Sequence, residues 1–384
     1  MTEAAPKVRQ ARKDSFKFKF GDLLTTIIRK DRCMFCGGCI SACPIAAIGH
    51  KGEKPVPVSR CEQCGMCITH CPRFSLDFEL AEKDIFGRTR NEDEPMGIYQ
   101  SYAIARAKDR SVRRVAQDGG VVTALLTYAM DKKYIKGAIV TGTDPEIPWK
   151  PTPVLAQSQD AILNAAGSKY TVSPNNSLLG YAYQEYDAYI PGPARLRSLA
   201  IVGTPCQAES LAKMKYSEYG TLKITEIVKL FISVFCWDNF HYDGIKLFVE
   251  SKGFDMKSIT KFDIKKGVFY AYQGSKEVIA AKLSEIKEHS LEACKECTDL
   301  TGELADINVG SQGAPDGWCF VILRTPFGKQ LFDGAAKKEY IELKSQAEAA
   351  EGLENLIKQA AKKREIAKKR FADTDNELIA KSHI

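Results

Sequence analysis

The chain has 384 residues, of which 44% are apolar and 27% charged, a composition that is typical of a globular protein with two or three domains and excludes a largely disordered chain. The first 20 residues lack the apolar core of an export signal, and no later apolar segment reaches the length of a bilayer span, so we expect a cytoplasmic protein without a transmembrane segment of its own. The formal net charge is +7, and the basic residues gather near the two ends, where they form either solvated faces or a docking surface for an acidic partner, an anionic ligand or lipid headgroups. No nucleic-acid-binding motif accompanies them, so no nucleic acid is expected as a partner.

Two copies of one cysteine motif follow a basic N-terminal extension, residues 1–24. Residues 33–44 read CMFCGGCISACP and residues 61–72 read CEQCGMCITHCP, each with the spacing C-x2-C-x2-C-x3-C-P. Thirteen cysteines in a chain without a recognisable export signal indicate a reducing compartment, in which clustered thiolates are metal ligands more often than disulfides. Zinc knuckles are the alternative, but zinc sites usually have two close pairs of ligands separated by a longer loop. The spacing therefore predicts a ferredoxin-like domain with two 4Fe-4S clusters over residues 25–80.

In two-cluster ferredoxins with this spacing, the fourth cysteine of each motif binds the cluster of the other motif. One predicted ligand set is Cys33, Cys36, Cys39 and Cys71, and the other is Cys61, Cys64, Cys67 and Cys43.

The next segment, residues 81–98, is charged, contains Gly and Pro and lacks cysteine, so it is predicted as a linker. From residue 99 to residue 340, strand patterns such as SYAIARA, GAIVTG and LFISVFC alternate with helical patterns such as GGVVTALLTYAM and CQAESLAKM. This alternation predicts an α/β (α+β) domain with a mixed sheet. Residues 341–384 are predicted to form a C-terminal amphipathic helix, over 345–372, and a tail.

Turns rich in small residues stand where several strand patterns end. They read QDGG at 117–120, GSKY at 167–170, GTPCQ at 203–207 and VGSQGAPDGW at 309–318, and Asp118 is a candidate helix cap. Neither G-x-G-x-x-G after a strand nor a P-loop is present, which argues against a Rossmann site for NAD and against nucleotide hydrolysis. Each turn can be only a turn, but several at the carboxyl ends of strands favour a bound cofactor with phosphates at helix N-termini.

Five cysteines lie outside the repeat. Cys319 sits in an apolar strand pattern and is predicted to be buried. From spacing alone, the other four are a third 4Fe-4S cluster, a zinc site or independent buried thiols. They are Cys206, Cys236, Cys294 and Cys297. A nucleophilic role for Cys206 is disfavoured because no histidine lies near it in the sequence to act as its base.

The ordered set AQDGGVVTALL, GSKY, GTPCQ, FC, CKEC, ADINVG and GWCFVILRT, behind a double ferredoxin motif, resembles the family of coenzyme F420 hydrogenase/dehydrogenase beta subunits. The resemblance covers roughly residues 95–335. It implies an FAD in the α/β domain, a third 4Fe-4S cluster bound by the four remaining cysteines, and the deazaflavin coenzyme F420 as substrate. The flavin contacts that it suggests are Gly119, Gly120, Ser168, Lys169, Tyr170, Thr204 and Gly313. Lys169, Arg113 and Arg114 are candidate contacts for the phosphodiester and glutamate tail of F420.

The resemblance also implies a function. Reduced F420 donates a hydride, a flavin converts it to single electrons, and the clusters pass these to a partner, so no catalytic side chain is expected. The layout with a ferredoxin module implies the electron-input subunit of a membrane-associated F420H2:quinone or F420H2:methanophenazine dehydrogenase, peripheral on the cytoplasmic face of the membrane.

Three alternatives remain at this point. The first is a ferredoxin:F420 oxidoreductase, or the beta subunit of an F420-reducing hydrogenase or formate dehydrogenase, although subunits of the hydrogenase type commonly lack the ferredoxin repeat. The second is a non-enzymatic iron–sulfur relay, which predicts no flavin, and the third is an iron–sulfur sensor.

Overall fold

The computed structural model describes residues 18–188 and 198–372. Its N-terminal module contains helix α1 (Phe20–Leu23), which continues as a π-helical turn (Leu24–Ile28), two short helices, α2 (Gly38–Ser41) and α3 (Met66–Thr69), and a hairpin of β1 (Ile48–Lys51) and β2 (Lys54–Pro57). Gly37 and Gly65, which follow the second cysteine of each motif, have φ angles of 86° and 73° and form the N-caps of α2 and α3. This left-handed conformation, which glycine adopts at little cost, turns the chain so that the third cysteine of each motif lies in a helix.

The segment predicted as a linker is ordered and packed. Helix α4 (Phe78–Phe86) begins at Asp77, whose carboxylate accepts a hydrogen bond from the backbone N–H of Leu80 at 2.9 Å. The buried Glu82 in this helix accepts hydrogen bonds from the backbone N–H and the guanidinium of Arg90, and Arg90 also pairs with Glu303. The linker prediction was wrong for this part because ion pairs between distant residues leave no signal in the local composition.

An eight-stranded sheet forms the centre of the larger part, in the order β13-β3-β12-β11-β7-β6-β4-β5. Its strands are β3 (Ser101–Ala107), β4 (Gly137–Thr143), β5 (Pro151–Ala156), β6 (Leu199–Gly203), β7 (Val228–Val234), β11 (Ile307–Gly310), β12 (Cys319–Leu323) and β13 (Ile341–Leu343). β4, β6, β7 and β11 run parallel to one another, and β3 has the same direction because two antiparallel steps separate it from β11. The predicted mixed α/β fold is confirmed.

Helices cover both faces of this sheet. They are α5 (Arg110–Val115), α6 (Val121–Asp131), α7 (Gln159–Asn164), α8 (Leu178–Ala188), α9 (Pro205–Lys215) and α12 (Pro326–Lys337). Successive residues of β6 show the two layers: Ala200 packs in the core that contains residues of α6 and α12, and Ile201 packs in the core that contains residues of α8 and α9. A strand that is buried on both faces reads as a continuous apolar run, which is why LAIVG has no polar alternation.

A second, smaller sheet was not predicted as a separate unit. Its strands are β8 (Lys261–Lys265), β9 (Val268–Gln273) and β10 (Lys276–Lys282), and helices α10 (Tyr242–Ser251) and α11 (Leu283–Ile286) accompany them. They share a core that includes Phe248, Phe262, Phe269 and Ile286. The core of the smaller sheet is therefore distinct from the two cores of the large sheet.

The C-terminal helix α13 (Gln346–Ala372) packs on residues of β3 and β12 through Ala349, Leu356 and Ala360. Gly352 of α13 lies against Gly313: a Cβ atom added to Gly313 would stand 2.8 Å from the carbonyl oxygen of Gly352. Within residues 18–188 and 198–372, no helix combines the length and apolar character that crossing a bilayer requires.

Candidate functional site

The cysteines of the two repeats are gathered into two groups that each draw on both motifs. Cys43, Cys61, Cys64 and Cys67 line one cavity together with aliphatic side chains such as Ile45 and Ile48. We call these four the outer quartet. The remaining four, Cys33, Cys36, Cys39 and Cys71, are the middle quartet, and the pKa of Cys39 is raised well above its usual value by burial and by the neighbouring Cys33, Cys36 and Cys71. Both groups have the membership that the repeat predicts.

The four cysteines outside the repeat that were candidate ligands line a second cavity. Cys206 lies in the first turn of α9, Cys236 follows β7, and Cys294 and Cys297 lie in and directly after a 3-10 turn (Glu292–Glu296). We call these four the inner quartet. Burial raises the pKa of Cys294 to about 11, so the ligand-free thiol is protonated at neutral pH and binding of a metal cluster would release its proton. Four thiols around one cavity have the donor set that a 4Fe-4S cluster uses.

The middle quartet lies next to the inner quartet. Cys36 is among the neighbours that raise the pKa of Cys206, after burial and the other cysteines of its own quartet. The contact is fixed by polar links between the N-terminal module and the α/β part: the backbone N–H of Asn176 donates to the carbonyl of Cys36 at 3.2 Å, and Nη2 of Arg73 donates to the carbonyl of Ala293 at 3.0 Å. The three quartets therefore form a series, inner to middle to outer.

The outer quartet is reached from the surface. Glu62, between two of its cysteines, is exposed, and the neighbouring Ile45 and Val58 are 46% and 62% exposed. The inner quartet, by contrast, lies at the carboxyl edge of the large sheet, where β6 and β7 end. This edge is where open α/β sheets place bound ligands.

Two of the predicted flavin-binding turns meet at the same edge. Nε2 of Gln117 donates to Asp263 in β8 at 2.9 Å, and its Oε1 accepts from the backbone N–H of Ser168 at 3.3 Å. The hydroxyl of Tyr170 accepts from the backbone N–H of Ile264 at 3.2 Å. The turns at 117–120 and 167–170 are thus brought together against the small sheet.

The glycines of the first turn are packed by the protein itself. A Cβ atom on Gly119 would stand 3.1 Å from the backbone nitrogen of Cys319, and Gly120, with a φ of 74°, is the N-cap of α6. Asp118, the predicted cap, instead faces Lys265 at 3.8 Å. Cys319 is buried, as predicted, and its thiol faces the backbone N–H groups of Gly119, Gly120 and Val121.

Four other predicted contact residues have local partners. Nζ of Lys169 donates to the carbonyls of Ala165 at 2.6 Å and Gly167 at 2.9 Å, and burial lowers its pKa to about 8. Arg113 donates to the carbonyls of Ala107 and Lys108. Thr204 caps α9 and its hydroxyl lies 3.1 Å from the sulfur of Cys206, whereas Gly313 contacts α13. Arg114 is exposed and has no ion pair within the described part of the chain.

Buried hydroxyls without hydrogen-bond partners lie between the 167–170 turn and the inner quartet. They belong to Thr171 and Ser290, which are connected through bridges to Phe240, and neither finds a donor or acceptor among the described residues. Buried polar atoms normally have a partner. Polar groups of a ligand at this place would satisfy them, so the residues present fit a bound cofactor.

Two cations in the wall of the inner cavity were missed by the sequence analysis. Arg73 follows the second motif directly, so its proximity to a ligand could have been noticed. Lys363 lies on α13 in the series Leu356, Ala360, Lys363 and Ala367, all buried and spaced by four, three and four residues. A lysine at a buried position of a helical period is the signal that would have found it.

Family models match the chain in three places. A model described as a 4Fe-4S dicluster domain matches residues 25–72, and models described as the N-terminal and C-terminal parts of the coenzyme F420 hydrogenase/dehydrogenase beta subunit match residues 102–180 and 196–349. The N-terminal ferredoxin domain and the family resemblance are confirmed. Most of α13, including Lys363, lies beyond the matched residues.

Individual proteins agree with these matches. The beta subunit of the coenzyme F420 hydrogenase of Methanothermobacter thermautotrophicus is 37% identical over 278 residues, which cover 72% of this chain and 95% of that protein. The F-type component of the F420H2 dehydrogenase of Methanosarcina mazei is 29% identical over 316 residues, covering 81% of this chain and 84% of that component. In the solved structure of the F420-reducing NiFe hydrogenase complex from Methanosarcina barkeri, one chain is 31% identical, with a TM-score of 0.68 and coverage of 74% of this chain and 95% of that one.

Proposed function

The chain belongs to the family of coenzyme F420 hydrogenase/dehydrogenase beta subunits, and from this we propose that it oxidises reduced F420 and passes the electrons singly to a protein partner. It is an electron-transfer oxidoreductase with an iron–sulfur domain. The observation that carries the finer proposal is the position of the inner quartet, which lies at the carboxyl edge of the sheet and beside the middle quartet. A series of three thiol groups from a ligand edge to the surface suits a path for single electrons.

The proposed cluster ligands are the twelve cysteines of the three quartets. Backbone N–H groups donate to several of their sulfurs: Ala47 to Cys43 at 3.2 Å, Gln63 to Cys61 at 3.3 Å, and Asn239 to Cys294 at 3.4 Å. Such hydrogen bonds stabilise thiolate ligands and adjust the reduction potential of a cluster.

The proposed flavin contacts lie in the turns at 117–120 and 167–170. A bound FAD would supply the conversion between a hydride and single electrons that a deazaflavin donor and one-electron clusters require. We keep Gly119, Gly120, Ser168 and Tyr170 from the predicted contacts and add Thr171 and Ser290, because their buried hydroxyls lack partners among the described residues. Lys169, Thr204 and Gly313 receive structural roles instead, since their groups are used by the protein. Arg114, exposed near the first turn, is the proposed contact for an anionic group of F420.

For the host complex we propose an F420H2 dehydrogenase with a quinone or methanophenazine as final acceptor. The observation in favour is the N-terminal dicluster domain together with a match to the F420H2 dehydrogenase component that covers 81% of this chain. A role as the beta subunit of an F420-reducing hydrogenase is the second candidate, favoured by the 37% identity to such a protein. A ferredoxin in place of the complex is the third.

Anaerobic purification of the chain tests the activity directly. We expect extractable FAD, about twelve irons per chain, and bleaching of the flavin absorbance on mixing with reduced F420. Absence of FAD, or flavin absorbance that does not change, contradicts the proposal and favours a non-enzymatic relay. Adding membranes, a NiFe hydrogenase lacking its beta subunit, or a ferredoxin to the reduced protein then distinguishes the three partners by which of them reoxidises it.

A further inference from the structure

Lys363 is held in one place by the fold of α13. Its Nζ donates to the carbonyls of Cys236 at 2.7 Å and Asp299 at 2.8 Å, and its side chain is only 5% exposed. The next residue, Arg364, pairs with the buried Glu303 at 2.5 Å, and the contact of Gly352 with Gly313 seats the other half of the helix on the sheet. These contacts fix where the ammonium group lies.

The ammonium of Lys363 has no carboxylate partner within 4 Å among the described residues. The other buried cations of this region differ: Arg32 pairs with Glu296, and Arg90 pairs with Glu82 and Glu303. A buried charge that is satisfied only by neutral carbonyls is costly unless an anion lies nearby. The candidates for that anion are in the same cavity, because Lys363 and the four thiols of the inner quartet line it together.

We propose that Lys363 is a positioning residue of the electron-transfer path, in which its fixed, buried ammonium raises the reduction potential of the cluster held by Cys206, Cys236, Cys294 and Cys297. The inference rests on the proposed assignment of a third cluster to these cysteines. A cluster with four thiolate ligands is an anion whose negative charge grows by one on reduction, so a neighbouring cation stabilises the reduced form more than the oxidised form. The segment that supplies this cation lies beyond the matched family models, so α13 is part of the redox site and not only a cover for the sheet.

The test is a redox titration of the purified holoprotein monitored by electron paramagnetic resonance. In Lys363→Gln, whose amide can still donate to the two carbonyls, we expect the reduction equilibrium of the inner cluster to become about tenfold less favourable, a fall of about 59 mV in its midpoint potential. Lys363→Arg keeps the charge and should keep the potential. Lys362→Met removes an exposed lysine one residue away and should change nothing. The outer cluster is an internal control in every variant.

Each outcome has a distinct meaning. A fall in the inner potential in Lys363→Gln, without a change at the outer cluster, supports the proposal. Three clusters with an unchanged inner potential in Lys363→Gln overturn it, as does loss of iron from Lys363→Gln alone, which would make Lys363 a requirement for cluster binding instead. About eight irons in the wild-type chain, with only two cluster signals, would remove the third cluster and with it the proposed electron path, whatever the variants do.

Discussion

The outer and inner quartets have the same number of thiols in opposite surroundings. The outer cavity is lined by aliphatic side chains, with Glu62 as the only charged residue among its described lining, and it is reached from the surface. The inner cavity contains two buried cations, Arg73 and Lys363, in its wall. Solvent exposure and hydrogen bonds to sulfur therefore control the chemistry of the outer site, whereas fixed charges control that of the inner site. One site is suited to exchange with a partner and the other to a defined potential.

Removal of an inner thiol should have the largest effect. In Cys206→Ala we expect the iron content to fall from about twelve to about eight per chain, because three thiols and no replacement cannot hold the inner cluster. Electron exit to a partner should stop, while any bound flavin is still bleached by reduced F420. Cys319→Ala, which removes a buried cysteine outside the three quartets, should keep the full iron content. Equal iron in both variants would show that the inner quartet holds no cluster.

The two regions also differ in how their ion pairs contribute to stability. Glu303, 1% exposed, pairs with Arg90 and Arg364 and connects α13 to the segment after α4, whereas the pair of Lys54 and Asp31 beside the outer site is exposed. Glu303→Gln leaves buried arginines without a counter-charge and should lower the free energy of unfolding by about 3–5 kcal/mol. Asp31→Asn should lower it by about 1 kcal/mol at most. Chemical denaturation of the two variants measures the difference, and similar losses would contradict it.

The same carboxylate should make stability depend on pH. Burial alone would raise the pKa of Glu303, but Arg364 and Arg90 lower it to about 2. Because the folded state then binds the proton more weakly than the unfolded state, the contribution of Glu303 is present above the ordinary glutamate pKa and is lost as the pH falls from about 4.5 toward 2. Thermal unfolding between pH 6 and pH 3 should show a smaller loss of stability in Glu303→Gln than in the wild type. Parallel curves would mean that Glu303 is not the titrating group.

The contact that seats α13 can be weakened without touching any charge. Gly313 and Gly317 both have positive φ angles, 83° and 76°, but only Gly313 faces another backbone. Alanine at either position should cost about 1 kcal/mol for the left-handed conformation. Gly313→Ala should cost about 1–3 kcal/mol more, because its Cβ would press on the carbonyl of Gly352. Equal unfolding free energies for the two variants would show that α13 moves aside freely.

The sequence was informative wherever the chemistry is local. Each cysteine motif places its own ligands, so the membership of the middle and outer quartets followed from spacing, and counting the remaining thiols gave the inner quartet as one open alternative. The links between distant residues had no such signal: Arg90 and Glu303 are 213 positions apart. Gly119 and Gly313 were assigned to a ligand because a glycine at a strand end suits a cofactor, but close backbone packing requires glycine equally.

The smallest effect is expected at the surface of the outer site, where only a partner would sense the change. Ile45→Ser and Val58→Ser replace exposed aliphatic residues near the outer quartet, so the free energy of unfolding should stay within about 0.5 kcal/mol of the wild type and the iron content should not change. Reduction of a small artificial acceptor should also be unchanged, since it needs no docking surface. Electron transfer to the protein partner should slow several-fold, because apolar contacts near a redox centre contribute to transient docking. A double serine variant that transfers electrons to the partner at the wild-type rate would mean that electrons leave through another face of the module.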